Sequence, residues 1–221
     1  TAPQSGGGIW QMVKGDFAES LRFIRKEKPV IGKALLVVCG INLFLSSMLM
    51  VGLPYMVTEV LYLDGALANK LYGFAEGALA AGGLAGGISA GVFAKKLSIQ
   101  KAGNLIIASA VSVFPAGLAL LVFSSGMLNY IILTVCCFCI MLFSTVFAVQ
   151  MLSFFQTETP QSLVGKVIAV ILAVSMCAQP LGNVVYGILF EICRGYEFAV
   201  ILFAGAISLV IAVRTKGIFS K

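Results

Sequence analysis

The sequence predicts an all-α polytopic membrane bundle of six transmembrane helices, and both its composition and its patterning carry this prediction. Of the 221 residues, 60% are hydrophobic and 11% are charged. A soluble domain of this length could not hide so much apolar surface from water. The apolar residues fall into six stretches of about 20 residues, the length of a helix that crosses a bilayer. Helices are required because an open strand edge in lipid would leave backbone groups unpaired.

The first 32 residues are expected to form a cytoplasmic linker. The chain opens on TAPQSGGG rather than on Met, so we expect it to be a piece of a longer protein. Phe17, Leu21 and Ile24 recur at helical spacing opposite a basic face, which predicts an amphipathic helix over 16–28 along the inner membrane surface. This helix is either a latch or only a topology anchor. Pro29 separates it from the first span.

The bundle is expected over residues 33–214, with a cytoplasmic tail over 215–221. Its six predicted spans cover 34–57, 71–94, 103–123, 128–151, 167–190 and 198–213. Thirteen of the fifteen Lys and Arg residues precede the first span or follow the second, fourth and sixth spans. Only Lys70 and Arg194 lie on the other side. Because basic residues accumulate in cytoplasmic loops, both termini are predicted to be cytoplasmic.

The residue inventory argues against catalysis, metal binding and nucleic-acid binding. The chain has no histidine, and its two aspartates, Asp16 and Asp64, lie outside the spans, so paired intramembrane aspartates are not available. Five of its six cysteines lie in apolar runs, where cysteine is mostly a small hydrophobe. The net charge of +6 lies between the spans and reports topology. We therefore expect no enzyme activity, no metal, no cofactor and no nucleic-acid partner.

The second predicted span contains the glycine-rich stretch EGALAAGGLAGGISAG. Glycines spaced four apart lie on one stripe of a helix and let a neighbouring backbone approach closely. The stripe is either a static packing surface or a smooth surface on which helices move during alternating access. The expected packing positions are Gly82, Gly83, Gly86, Gly87 and Gly91, together with Pro180 and Gly182 in the fifth span.

Amide side chains within the spans mark a candidate binding site. Gln179 and Asn183 are four apart, so both point to one side of the fifth span, toward the bundle interior or a water-filled cavity. They form either interhelical hydrogen bonds or substrate contacts, and Asn42 in the first span has the same two interpretations. Pro115 and Pro180 each remove a backbone donor and are expected to kink their helices.

For two further polar residues, Glu76 and Gln150, the position along the predicted span suggests the role. Glu76 is the one acidic residue well inside a predicted span, and an ionisable group in the membrane is a functional hypothesis by default. It either couples transport to protons or recognises a cation, or it is a solvated rim residue or an ion-pair partner of Lys70. Gln150, at the cytoplasmic end of the fourth span, is expected at the membrane interface.

The loop after the second span, GVFAKKLSIQKAG, resembles the signature loop of the major facilitator superfamily, G-x-L-A-D-R-x-G-R-[KR]. Gly91, Ala94 and Lys96 match this pattern. Lys95 replaces the aspartate, and Ser98 replaces a glycine. The second half of that superfamily typically carries such a degenerate copy, so the resemblance implies a C-terminal half.

A second junction, QTETPQSLVGKVIAV followed by AQPLGNVVYG, is similar to P-x-x-x-x-G-R-V followed by P-L-G-x-x-x-x-G. That pattern belongs to the bacterial drug-efflux branch that includes macrolide-efflux and enterobactin-exporter proteins, and the basic helix before the first span fits that branch's central linker. Lys166 stands in for the arginine. The matching residues are Pro160, Gly165, Val167, Pro180, Leu181, Gly182 and Gly187.

The resemblance implies that these are the last six of twelve helices, with the N-terminal six-helix half absent from this chain. It also implies proton-coupled efflux of small amphipathic compounds, such as drugs, macrolides or siderophores. The substrate would bind between the two halves near the bilayer midplane. The expected location is the plasma membrane, in bacteria the cytoplasmic membrane, with the lipid bilayer as surroundings.

Other functions share the same composition. Uptake or lipid transport within the superfamily is one alternative, and a non-transporting membrane scaffold or truncated product is another. The membrane domain of an ABC-type exporter also has six spans, but its helices extend far into the cytoplasm, whereas the loops here are short.

Overall fold

The computed structural model describes residues 9–61, 65–94 and 98–219. Most of the chain in these ranges is helical and none of it forms a strand, which confirms the predicted all-α class. Several sequence predictions fall on other residues. Lys95 and Lys96, on which part of the topology argument and of the signature-loop resemblance rests, lie outside the described residues, as do Asp64, Lys221 and the TAPQSGGG start.

Helix α1 covers Ile9–Arg22 and continues through a π-helical turn at Phe23–Glu27. The next three elements form one continuous stretch, here called the first rod, which runs from Pro29 to Val60. The first rod consists of α2 (Pro29–Ile41), a π turn (Asn42–Ser46), α3 (Ser47–Tyr55) and a second π turn (Met56–Val60). The glycine-rich helix α4 follows at Gly65–Val92.

The second half of the chain is built from longer helices. A 3-10 turn at Ile99–Lys101 leads into α5 (Ala102–Val111), which is followed by α6 (Phe114–Val122). The last three helices are α7 (Gly126–Glu158), α8 (Val164–Ile192) and α9 (Glu197–Phe219). Most of these helices extend beyond the apolar stretches that the sequence marks out, because polar residues at their ends continue the helical backbone.

Five helical stretches are long and apolar enough to cross a membrane, so the chain is a multi-pass membrane protein. They are Pro29–Val60, Ile99–Val122, Gly126–Glu158, Val164–Ile192 and Glu197–Ile218. The glycine-rich α4 has sufficient length, at 28 residues, but it is not among the five. Its many glycines and alanines, together with Glu76, give it a lower hydropathy than these five stretches.

The first rod and the long helices α4 to α9, here together called the rods, pack against partners that are mostly distant in sequence. The first rod packs along α8, α4 packs along α7, and α5 and α6 pack along α9. Contacts of α5 with α7 and of α2 with α9 join these pairs into one bundle. Its core contains fully buried side chains from most of the rods, among them Ile31, Leu45, Ile106, Ile140 and Phe190.

The two prolines expected to kink helices behave differently. Near Pro115 the helix is interrupted, and the N–H of Val113 bonds three residues back to the carbonyl of Ala110 at 3.2 Å. Pro115 then lies in the first turn of α6, where its missing donor costs nothing. Around Pro180, in contrast, α8 is continuous over its whole length.

Helix α1 is docked on one end of the bundle, here called the α1 end. Its Ser20 is fully buried, as are Phe23 and Ile24 in the turn that follows, and α1 packs against α8. Of the three apolar residues at helical spacing, Ile24 is therefore covered by protein, Leu21 is half-buried and Phe17 stays exposed.

Ion pairs tie α1 and the start of the first rod to the bundle. The ammonium of Lys166, at the start of α8, lies 2.8 Å from Asp16 and 3.0 Å from Glu19 of α1. Lys28 lies 2.8 Å from Glu158 at the end of α7. All five groups are partly exposed, so the pairs position α1 more than they stabilise the fold.

Candidate functional site

A groove of about 400 Å³ runs between the first rod, α7 and α8. Cavities of roughly 300–1,000 Å³ hold drug-sized ligands. Most of the lining is apolar and includes Met141, Met151 and Met176, whose unbranched side chains adapt to different ligand shapes. Its polar residues are Asn42, Ser46, Ser144, Thr145 and Ser175. Among the described residues no charged side chain lines the groove.

A π turn brings Asn42 and Ser46 to the edge of the groove. The turn begins at Asn42 and ends at Ser46, and the N–H of Ser47 bonds five residues back to the carbonyl of Asn42. Such turns inside α-helices occur frequently at functional sites. The Asn42 amide donates to the carbonyl of Ser175 on α8 at 3.1 Å, and the Ser46 hydroxyl donates to the Asn42 amide oxygen at 3.4 Å. The predicted interhelical hydrogen bond of Asn42 is thus present, at a position where a ligand in the groove can reach it.

Three side chains of the first rod, Asn42, Ser47 and Tyr55, bond to backbone carbonyls of α8, and this row of hydrogen bonds is here called the polar seam. The Ser47 hydroxyl oxygen lies 2.9 Å from the carbonyls of both Asn42 and Gln179, although its single proton serves one of them at a time. Farther along, the Tyr55 hydroxyl lies 3.3 Å from the carbonyl of Phe190. In a membrane, where lipid is as apolar as the helix surfaces, such bonds and close packing hold helices together.

Gln179 and Asn183 lie on α8 beyond the groove and do not line it. The Gln179 amide nitrogen lies 3.2 Å from the sulfur of Met50, a weak acceptor. The side-chain oxygen of Asn183 is buried without a hydrogen-bond partner among the described residues. Asn42 meets α8 at Ser175, whereas Gln179 and Asn183 lie about one and two helical turns farther along α8. The structure therefore separates these two amides from Asn42.

Pro180 and Gly182 shape α8 beside the groove. Pro180 has no N–H for the carbonyl of residue 176, one turn back, and the Met176 side chain lines the groove. Gly182 is buried against the first rod, where an added Cβ would collide with the carbonyl oxygen of Leu43 and the hydroxyl of Ser47. The glycine lets the two backbones touch.

The glycines of α4 divide into two groups. A Cβ on Gly82 would collide with the carbonyl of Phe138 on α7, and one on Gly86 would lie 2.6 Å from the carbonyl of Leu142. Gly83 has only ordinary side-chain contacts. Gly87 and Gly91 have no atom near their missing Cβ in the described residues. Helix α7 therefore packs closely on Gly82 and Gly86, touches Gly83 only through side chains, and leaves Gly87 and Gly91 exposed.

Glu76 is exposed on α4 and does not line the groove. Its carboxylate accepts a hydrogen bond from the hydroxyl of Tyr72 at 3.0 Å, one turn earlier on the same helix. Among the described residues, no ion pair joins Glu76 to Lys70 or to another cation. The structure thus places Glu76 on a different surface from Asn42.

Sequence reasoning missed the hydroxyl groups of the groove. Ser144 lies 2.8 Å from Ser109 of α5, and Ser175 bonds back to the carbonyl of Leu172 at 3.0 Å. Serine and threonine in apolar helices can bond to their own backbone, as Ser175 does, so the sequence does not distinguish them from those that bond to another helix, as Ser144 does. Gln150, expected at the membrane interface, is buried within the protein, and neither of its amide atoms has a partner in the described residues.

The groove is therefore a drug-sized, uncharged and partly apolar site in which one amide and several hydroxyls come together from three helices. Ala148, Leu172 and Met176 on its rim are exposed, so the groove opens on the surface of the bundle. Comparison with protein-family models, with curated proteins and with solved structures finds no match for this chain.

Proposed function

We propose that this chain is the six-helix C-terminal half of a secondary transporter of the major facilitator type, which exports small amphipathic compounds across a cell membrane by alternating access. The observation that carries this proposal is the open groove between the first rod, α7 and α8. Its volume suits a small molecule, its methionines and aromatic residues suit an apolar body, and Asn42 and the hydroxyls suit a few polar atoms. The open side of the groove needs a second wall, which the N-terminal half supplies.

The proposal includes a sixth crossing by α4 and a cytoplasmic α1 end. At a rise of about 1.5 Å per residue, 28 residues extend about 42 Å, enough for a hydrocarbon core of about 30 Å. The reduced hydropathy of α4 suits a helix that packs its glycines on α7 within protein rather than in lipid alone. The concentration of basic residues near α1 supports the orientation.

Proton exchange is the proposed energy source, with Glu76 as the coupling residue. An ionisable group within a span is a candidate for such coupling, and in the described residues the Glu76 carboxylate accepts one hydrogen bond, from the hydroxyl of Tyr72. Because Glu76 lies away from the groove, coupling would act through movement of α4 rather than through direct contact with the substrate. Glu76→Gln should then abolish the dependence of export on the proton gradient, measured as ethidium efflux at two external pH values.

The transport proposal itself is tested by blocking the groove. Ala148→Trp introduces a large side chain at an exposed position on the groove lining. Val210→Trp, at an exposed position of α9 away from every described groove, is the matched control. In cells that express the gene encoding this chain, we expect the control to keep ethidium accumulation low and Ala148→Trp to raise it to the level of cells without the gene. Equal export by both variants would contradict the assignment of the groove.

A further inference from the structure

The segment from Asp16 to Lys28, here called the strap, bridges two of the helices that form the groove. Its first half is attached to the start of α8, where the ammonium of Lys166 lies 2.8 Å from Asp16 and 3.0 Å from Glu19. Its last residue, Lys28, lies 2.8 Å from Glu158, the last residue of α7. The described lining of the groove contains no residue of the strap. The strap therefore joins α7 to α8 from outside the groove.

Both attachments lie at the α1 end of the groove. The lining reaches Phe155 on α7, three residues before Glu158, and Ile168 on α8, two residues after Lys166. Among the described residues, α7 and α8 contact each other at few positions, because the groove lies between them. Apart from the short connection over 159–163, the strap is therefore a main link between these two walls at the α1 end.

Two apolar side chains anchor the strap between its ion pairs. Phe23 and Ile24 are buried in the same core cluster as Phe155 of the groove lining and Val167 at the start of α8. A separation of α7 from α8 at this end has to break the ion pairs or withdraw Phe23 and Ile24 from that cluster. The strap thus opposes the opening of the groove at its α1 end.

A joint connects the strap to the first rod at Lys28 and Pro29. Lys28 departs from helical geometry, with φ −132° and ψ 70°, and Pro29 lies in the first turn of α2. A residue before proline is disfavoured in the α conformation, and proline offers no N–H to the preceding turn. Residues at the ends of helices absorb the backbone changes of hinge motions. The strap can therefore swing at this joint while the first rod keeps its structure.

The apolar face of α1 also suits a second surface, that of the membrane. Val13 and Phe17 are exposed and lie on the same helix face as the buried Ile24. The basic residues Arg22 and Arg25 are exposed as well. A helix with an apolar face and exposed basic residues binds the surface of an anionic leaflet. The same face can therefore be covered by the bundle or by the bilayer.

From these contacts we infer that the strap is a latch: attached to α7 and α8, it holds the cytoplasmic end of the groove closed, and it moves onto the membrane surface when that end opens. The inference rests on the proposed function for the cytoplasmic position of this end and for the transport that needs it to open. Exposed ion pairs each contribute little, which suits a contact that breaks in every transport cycle. A topology anchor would need no attachment to either wall of the groove.

The test is the rate at which a water-soluble maleimide labels Ile168→Cys, in a background without the native cysteines. Ile168 is half-buried in the groove lining beside the strap. The purified protein is placed in phosphatidylcholine nanodiscs, where both membrane faces are accessible, so the result depends on neither orientation nor transport. Lys28→Glu and Lys166→Glu each replace one attachment by repulsion. Lys26→Glu is the matched control, because Lys26 is an exposed lysine of the strap without an ion pair among the described residues.

We expect Lys28→Glu and Lys166→Glu each to raise the labelling rate about fivefold, the effect of losing about 1 kcal/mol of ion pairing, and the control to leave it unchanged. The charge swap Lys28→Glu/Glu158→Lys should return the rate to the native value. Equal rates in the two variants and the control would overturn the latch, and so would a faster rate that the charge swap does not reverse.

Two further measurements separate the latch from its surroundings. Phosphatidylglycerol in the nanodiscs should raise the labelling rate of the native strap, and an unchanged rate would overturn the membrane as its second binding surface. Ethidium export by Lys28→Glu is measured in cells. If labelling behaves as expected while export equals that of the native chain, the latch is supported and the groove is not the transport path.

Discussion

Gly182 shows how one absent methyl group sets the distance between two helices. The backbone of α8 touches that of the first rod at Leu43 and Ser47 because no Cβ intervenes. The same contact brings the Ser47 hydroxyl within 2.9 Å of the carbonyl of Gln179. The polar seam beside the groove therefore depends on this glycine.

We predict that Gly182→Ala destabilises the protein by about 1–3 kcal/mol, the usual cost of forcing an extra carbon into a packed contact. Gly187→Ala, five residues farther along the same helix, is the matched control because no neighbouring atom of the described residues lies within 4 Å of its missing Cβ. The control should be neutral or slightly stabilising, since alanine favours helix. The free energy of unfolding of both variants can be measured by titration with sodium dodecyl sulfate under circular dichroism. Equal stability of the two variants would contradict a close contact between α8 and the first rod at Gly182.

At the scale of single residues, the sequence predicts the amide of the groove but not its hydroxyls. Asn42 can be identified because a carboxamide is expensive in lipid and needs a partner. Ser175 cannot, because a hydroxyl that bonds to its own helix is nearly neutral there. Ser144 cannot either, because its partner is the Ser109 hydroxyl of another helix, which the sequence does not place beside it. The surroundings of Glu76 are also beyond sequence reasoning, since a helix of glycine and alanine has no apolar stripe that would show which side faces the bundle.

At the scale of elements, α4 and α7 are held together by the close approach at Gly82 and Gly86. The spacing of four predicts a glycine stripe, yet two stripes of equal spacing are present, and only the structure selects the one that faces α7. Pro115 and Pro180 give a parallel case. Both are prolines within apolar stretches, but one interrupts its helix and the other lies in a continuous helix.

We predict that Gly86→Leu separates α4 from α7, whereas Gly87→Leu does not. A Cβ on Gly86 would lie 2.9 Å from the Cβ of Thr145, and leucine adds three further carbons to that contact. Gly87 is adjacent in sequence and exposed, and no neighbour in the described part of the chain lies near its missing Cβ, so it controls for the change in composition. The amount of monodisperse protein left after heating, read by size-exclusion chromatography, should fall for Gly86→Leu alone. A loss of similar size in both variants would show that leucine is disfavoured anywhere on α4.

The docking of α1 is predicted to depend on the charge of Lys166. Lys166→Glu places a third carboxylate beside Asp16 and Glu19 and should release α1 from α8, so that amide hydrogen exchange over residues 16–27 becomes faster. The triple variant Lys166→Glu/Asp16→Lys/Glu19→Lys restores opposite charges and should restore protection. If exchange in Lys166→Glu stays at the native rate, the buried Phe23 and Ile24 hold α1 without the ion pairs.

At the scale of the whole molecule, hydropathy alone predicts the helical class and most of the crossings, because apolar surface on this scale has no stable place in water. The partners of each rod cannot be predicted in the same way. All the rods are apolar around most of their circumference, so periodicity does not show that the first rod lies on α8 or α4 on α7. Those pairings depend on small residues and hydrogen bonds at single positions such as Gly182 and Asn42.

The last prediction concerns the crossing of α4 and the orientation of the bundle. Asn69 and Gln100 are both exposed; Asn69 lies in the second turn of α4, and Gln100 follows the end of α4. If α4 crosses the bilayer, cysteines at these two positions face opposite compartments, and the positive-inside rule places Gln100 in the cytoplasm. In a background without the native cysteines, a membrane-impermeant maleimide should label Asn69→Cys in intact cells and Gln100→Cys only after permeabilisation.

Thr157→Cys, exposed at the end of α7, is the control and should be labelled like Gln100→Cys, because both positions lie at the α1 end. Labelling of Asn69→Cys and Gln100→Cys from one side would mean that α4 does not cross, and the chain would then have five crossings and termini on opposite sides.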